Sequence, residues 1–265
     1  MTPPKPQILP DIFPLPYAIE WGQDAFGIFM LLDLQGIQQG FRWIKPGTFL
    51  MGSKDELESG DDELQHEVTL SQGYWLADTA CTQALWQAVM AENPSEFKGG
   101  VNLPVETVSW IDVQKFIEQL NDKHPGLKAR LPTEAEWEYA CRAGTTTPFA
   151  FGATISTDQV NYDRNFPYVG AKKGILRKKT VPVKSLPVNP WGLYEMHGNV
   201  WEWCSDWYGT HPDQAVTDPK GPVSGVSRVL RGGSWFDSAR STRSAGRYTG
   251  TPLMRVFTTL VSGWL

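Results

Sequence analysis

Apolar positions recur along this chain with two different periods. Phe26-Gly-Ile-Phe-Met-Leu-Leu-Asp and Gly36-Ile-Gln-Gln-Gly-Phe-Arg-Trp-Ile read as two strands joined by a turn at Asp33–Gly36. Thr48-Phe-Leu-Met-Gly-Ser, His66-Glu-Val-Thr-Leu and Gly73-Tyr-Trp-Leu-Ala continue the strand pattern around an acidic, solvated stretch from Asp55 to Glu63. The period then changes to that of helices. Thr82 caps Gln83–Glu92, whose Ala84, Leu85, Ala88 and Val89 share a face. Ser109 caps a second helix, with Val113, Phe116, Ile117 and Leu120 at i, i+3, i+4 and i+7. Thr133-Glu-Ala-Glu136 is a capping box heading a third.

After Gly144 the regular periods stop, and Gly, Pro and Asn dominate with room only for short strands. Residues 1–16 are Pro-rich and read as extended or disordered. Residues 17–265 read as a single α+β domain with a long irregular second half. Inside that half, Trp191-Gly-Leu-Tyr-Glu-Met-His-Gly-Asn-Val-Trp-Glu-Trp-Cys-Ser-Asp-Trp-Tyr208 holds four tryptophans and two tyrosines. Such density does not suit a strand with one wet face. It suits a rigid aromatic core in which Glu202 and Asp206 need a cation or backbone donors. That core either simply fills the loops or also holds a binding or reactive surface.

Composition narrows the function. A formal net charge of −5 and a pI near 5.4 argue against a nucleic-acid partner. No apolar run approaches the roughly eighteen residues of a membrane span, and the N-terminus lacks a secretory signal's apolar stretch. Three scattered cysteines, Cys81, Cys141 and Cys204, imply no disulfide framework and a reducing compartment. A cytoplasmic monomer is expected.

Five segments carry a resemblance. Phe49-Leu-Met-Gly-Ser, Pro104-Val-Glu-Thr-Val-Ser-Trp, Arg130-Leu-Pro-Thr-Glu-Ala-Glu-Trp-Glu-Tyr-Ala, Gly192-Leu-Tyr-Glu-Met-His-Gly-Asn-Val-Trp-Glu-Trp and Arg231-Gly-Gly-Ser-Trp resemble, in order, the formylglycine-generating-enzyme (sulfatase-modifying factor) family. The resemblance spans roughly residues 38–255. It implies a C-type lectin-like α+β fold with little regular structure and bound structural calcium.

The family's oxidases carry a copper-binding cysteine pair after the Gly-Gly-Ser-aromatic motif. Here Ser234–Arg247 contains no cysteine, and Asp237 stands at the first position. A carboxylate does not replace a thiolate on Cu(I). No copper is expected, nor formylglycine generation, although that oxidase activity is the alternative the resemblance offers. His66, His124, His197 and His211 show no ligand spacing, so the iron site of related sulfoxide synthases is not expected either, and His197 is read as packing or capping.

For calcium, the resemblance implies side chains at Glu195 and Glu202 and carbonyls at Gly198 and Val200. A second family site, starting at Asn161-Tyr162, is expected to be absent because its later part falls in the basic stretch Ala171–Lys179.

Other relatives in the family are binding proteins, including the variable proteins of diversity-generating retroelements. These carry a C-terminal segment diversified at Asn codons. From Trp235 onward a scaffold of Arg240, Arg243, Ser244, Ala245, Arg247, Thr251, Pro252 and Arg255 alternates with chemically scattered residues. Phe236, Asp237, Ser238, Ser241, Gly246, Tyr248, Thr249, Gly250, Val256, Phe257 and Thr258 are all reachable from an Asn codon through its adenines, as most residues are. They form the expected binding face for a protein or other macromolecular ligand, with no nucleic acid or membrane involved. The chain closes Leu260-Val-Ser-Gly-Trp-Leu265, where the family closes Leu-Gly-Phe-Arg-Val-Ala. Codons for the first can spell the second in another frame. A frame slip near residues 253–259, with a mispacked last strand, is therefore expected.

Overall fold

The computed structural model describes residues 10, 13–54, 62–256 and 259–262, with backbone alone from 255 onward. In chain order the strands are β1 (Ala18–Asp24), β2 (Gly27–Leu34), β3 (Ile37–Ile44), β4 (Gly47–Met51), β5 (His66–Leu70), β6 (Tyr74–Ala80), β7 (Val108–Ser109), β8 (Ala129–Arg130), β9 (Glu202–Trp207), β10 (Val216–Thr217), β11 (Arg228–Arg231), β12 (Arg247–Gly250), β13 (Arg255–Val256) and β14 (Thr259–Ser262). The helices are α1 (Gln83–Met90), α2 (Trp110–Lys123) and α3 (Glu134–Arg142).

The main sheet runs β1-β2-β3-β6-β14-β8. β2 and β3 pair from Leu34↔Ile37 outward, and Gln35 and Gly36 both take positive φ (59° and 80°), the turn geometry that matches strand twist. Every residue of β6 is buried, as its position inside the sheet requires. Against this sheet lie α1 and α2. Trp86 stacks on Phe116 with centroids 4.8 Å apart and planes 3° apart, and Leu85, Val113 and Leu120 fill in around them.

Two smaller sheets, β10-β5-β4 and β12-β11-β9, sandwich α3 in a second core that includes Met51, Val68, Trp137, Ala140, Cys204 and Val229. A third cluster, Phe149, Ile155, Val160, Tyr162, Tyr168 and Ala239, anchors the loop-rich half. Among the described residues no helix is long and apolar enough to cross a membrane.

Several expectations change here. The aromatic stretch does contain a strand, β9, because Glu202, Trp203, Cys204 and Asp206 are all buried and no wet face is needed. The packed region begins before residue 17: Phe13 stacks on Trp75 at 5.7 Å and Leu15 is buried. Strand β1 carried no clear alternation and was not anticipated. The acidic stretch is not wholly solvated, since Glu63 is buried; residues 55–61 lie outside the described residues. Backbone pairing places β14 between β6 and β8. The expected mispacking concerns side chains there and at 263–265, which lie outside the described residues.

Candidate functional site

The C-terminal segment is positioned by charged groups deep in the protein. Helix α3 points Glu134 and Glu138, one turn apart, away from water. Arg231, fully buried on β11, reaches Glu138 and lies 3.7 Å from Glu134. Its Nη1 donates to the carbonyls of Ala245 (2.8 Å) and Gly246 (2.9 Å) and its Nη2 also to that of Ser244 (3.0 Å), while the buried Nε has no hydrogen-bond partner. Glu138 also accepts from Arg142 at 2.7 Å and from the Gly52 N–H at 2.8 Å. Arg247 makes a two-pronged pair with Glu134 at 2.8 Å on each arm and donates to the carbonyls of Asp62 and Gly209. Arg243 makes another with Glu63 at 2.7 Å on each arm. Charges taken from water need this many partners to be tolerated.

Burial would raise the Glu134 carboxyl, but His211, Arg247 and Arg231 outweigh it and hold it down to about 2. Burial likewise acts against Glu138, and Arg142 and Arg231 overcome it. Asp206 goes the other way, pushed up to about 7 by burial and by Glu134 beside it. It accepts from the Glu134 N–H and the Ser205 hydroxyl, so its partner is a donor pair and not a cation.

On this frame the chain turns at Gly232 and Gly233, both at positive φ; a Cβ at Gly233 would lie 2.8 Å from Thr242. The Ser234 hydroxyl then donates to Asp237, and a short 3-10 helix follows at Ala239–Thr242. The expected face separates into two groups. Phe236 (54% exposed), Tyr248 (53%) and Thr249 face solvent, while Asp237, Ser238 and Ser241 are half-buried. Gly246 and Gly250 are buried: a Cβ would meet the Ser241 carbonyl at 2.8 Å in one case and the Trp203 ring at 2.7 Å in the other. These two positions serve backbone packing. Val256 pairs through its backbone with Val108, and Phe257 and Thr258 lie outside the described residues. Aromatic rings brace the face from behind: Tyr248 packs on Trp201 at 5.5 Å, and Phe236 on Trp235, which meets Phe97.

The remaining candidates sit as follows. Cys81, Cys141 and Cys204 are buried, and burial pushes the Cys141 thiol up to about 12 and raises the other two as well. Buried thiols raised in this way are poor nucleophiles. His197 spans two loops, donating from Nδ1 to the Thr242 carbonyl at 2.7 Å and accepting the Ala150 N–H on Nε2 at 3.1 Å. It caps and packs.

The expected calcium ligands do not fit the ion as a set. The Glu195 carboxylate is engaged by the backbone N–H groups of Lys184, Ser185 and Leu186 at 3.1–3.2 Å, gathering that turn instead of facing Gly198 and Val200. Burial pushes it up to about 7, against the pull of those three N–H groups. Glu202 accepts the Trp137 indole N–H at 2.5 Å, and the Gly198 carbonyl accepts from Val200. At the family's other site, Asn161 donates to the Lys179 carbonyl and to Asn199.

The arginines at 231, 243 and 247 were the functional residues that periodicity could not find. Their partners lie 93, 180 and 113 positions away in the chain.

Known proteins resemble this chain in sequence and in fold. The chain is 40% identical over 169 residues to a formylglycine-generating enzyme from Streptomyces coelicolor, covering 60% of this chain and 51% of that protein. It is 38% identical over 154 residues to the serine/threonine-protein kinase pkn1 of Chlamydia caviae, covering 56% of this chain and 22% of that one. The chain thus spans between about a fifth and a half of these two relatives. Among solved structures, Treponema denticola variable protein 1 superposes with a TM-score of 0.75 at 29% identity, covering 88% of this chain and 98% of the other. PvdO from Pseudomonas aeruginosa gives 0.72 at 25%, covering 86% and 95%. The sulfatase-modifying factor enzyme 1-like domain matches residues 35–256, and the chain belongs to that family, with its α+β fold of the formylglycine-generating-enzyme type.

Proposed function

We propose that this chain is a non-catalytic ligand-binding protein built on the formylglycine-generating-enzyme scaffold, and that its binding face is diversified in the manner of a retroelement variable protein. One observation carries the reading. Within residues 236–249 Arg243, Arg247, Ala239, Ser244, Ala245 and Gly246 are locked inside, while Phe236, Arg240, Tyr248 and Thr249 project outward with Asp237, Ser238 and Ser241 beside them. Backbone position is therefore set by Arg231, Arg243 and Arg247, and the outward side chains are free to differ. Aromatic anchors on a rigid frame suit capture of a protein or other macromolecular ligand, because they bring contact area at low entropic cost. A cytoplasmic monomer fits the buried free thiols.

The test is genetic and biophysical. A near-copy of the codons for residues 235–258, with Asn codons at the outward positions and a reverse-transcriptase gene nearby, is expected beside the gene; its absence removes the diversification. Phe236→Ala and Tyr248→Ala are expected to change the unfolding free energy by about 1 kcal/mol or less. Losses of about 3–5 kcal/mol, the range for core aromatics, would make these core residues and end the reading.

A second reading rests on the identity to the Streptomyces coelicolor enzyme: formylglycine-generating oxidase activity. It requires metal-bound thiolates, and residues 234–247 offer none. Incubation with copper and a Cys-x-Pro-x-Arg peptide is expected to leave the cysteine intact; turnover would establish the oxidase.

A further inference from the structure

A second surface lies beside this face. Residues 164–179 contain Arg164, Lys172, Lys173, Arg177, Lys178 and Lys179 and no acidic residue, in a chain whose net charge is −5. Among the described residues none of the six forms an ion pair. Interleaved with them, Phe166, Val169 and Ile175 stand 61%, 70% and 54% exposed.

The segment is a closed lobe. Arg164 Nη1 donates to the Gly174 carbonyl at 3.0 Å across its neck, and the Ile175 N–H and Arg177 Nη1 both bind Thr157 at 2.7 Å. Tyr168 roots it from beneath, edge-on to Phe149 at 4.9 Å. The Asp237 carbonyl accepts the Asp163 N–H and the Phe166 carbonyl accepts the Ala239 N–H, which fixes the lobe against the C-terminal segment.

We propose that this lobe docks the protein on an anionic lipid bilayer, with the lysines on the headgroups and Phe166, Val169 and Ile175 in the interface. Charge complementarity selects an anionic surface, since each Lys or Arg near such a leaflet is worth about fivefold in affinity. The apolar side chains select a bilayer over a soluble polyanion, which offers nothing to Val169 or Ile175. Three exposed apolar side chains need no matching pockets in a fluid interface, whereas a folded partner would have to supply them. The absence of a spanning segment does not bear on an association of this kind.

Flotation of the whole chain with phosphatidylcholine vesicles, with and without phosphatidylglycerol, tests it. Binding is expected only with phosphatidylglycerol, and it weakens as salt rises. K172E/K173E/K178E/K179E is expected to lose at least a hundredfold in affinity. The charge-neutral pair Phe166→Ser and Ile175→Ser is expected to lose tenfold or more, with melting unchanged in both variants. Tyr248→Ala is expected to float normally, so the failure of this surface and of the recognition face are separable. Wild-type protein that ignores anionic vesicles overturns the proposal, as does binding untouched by the serine pair. Retention on heparin or single-stranded RNA without vesicle binding would reassign the lobe to a soluble polyanion.

Discussion

The sheet-and-helix half and the C-terminal half of this molecule are stabilised by different physics. In the first, β2, β3 and β6 press Met30, Leu32, Phe41 and Trp75 toward Trp86, Phe116 and Leu120, and apolar burial does most of the work. In the second, the chain from Gly232 to Gly246 has little repeating hydrogen bonding of its own. Arg231 grips three of its carbonyls, and Arg243 and Arg247 tether it to Glu63 and Glu134. A periodic segment can satisfy its own backbone; an aperiodic one borrows partners from distant side chains. The comparison therefore says where each half is vulnerable.

The largest break is expected at Arg231→Met. It strips Glu138 of a partner and orphans the three carbonyls, for a loss of about 3–5 kcal/mol, measured by chemical denaturation. Leu120→Ala in the apolar half is expected to cost about 2–5 kcal/mol, with no change in its pH dependence. If Arg231→Met cost less than about 1 kcal/mol, the distinction between the halves would collapse.

Acid and base should act most strongly on the ionic half. Glu134 is held below its ordinary 4.5, at about 2. Its contribution is complete above pH 4.5 and is lost as pH falls through 2, with a limiting slope of about 1.4 kcal/mol per pH unit. Asp206, raised from 3.8 to about 7, has the opposite sign. Its contribution is complete below pH 3.8 and gone once pH has risen through 7. In stability–pH curves, Glu134→Gln should flatten the acid limb and Asp206→Asn the limb toward neutrality.

The smallest effect sharpens the picture around the loop at 184–198. Glu195→Gln keeps the shape but weakens three charge-assisted bonds, for a loss of about 1–3 kcal/mol. That loss is expected to be the same in calcium and in chelator, because Glu195 gathers amides. A melting temperature that calcium raises in the wild type and not in the variant would restore the ion.

What could be read beforehand divides along the same line. The caps at Thr82, Ser109 and Thr133 and the β2–β3 turn are local: each is decided within four residues, and each is present, Ser109 even forming a full capping box with Asp112. The family segments pointed to the fold and to Asp237 in place of a cysteine. The role of Glu63 was not legible, because its partner Arg243 lies 180 positions away and nothing in an acidic run marks a carboxylate for burial. The amide partners of Glu195 were hidden for a related reason: a carboxylate facing three amides and one facing a cation look alike until the turn at 184–186 is placed.

The long reach of those arginines also bears on how the chain assembles. Glu63, Glu134 and Glu138 lie far upstream of residues 231–247, which supply all the arginines that neutralise them except Arg142, a turn away from Glu138. Until that stretch has been synthesised, Glu63 and Glu134 lack their arginines and Glu138 has Arg142 alone, so α3 is held back from seating its inner face. Contacts this distant make for high contact order and slow closure. Folding should therefore end with the C-terminal segment docking last, and a nascent chain stalled before residue 231 should present a finished hairpin and an open second core.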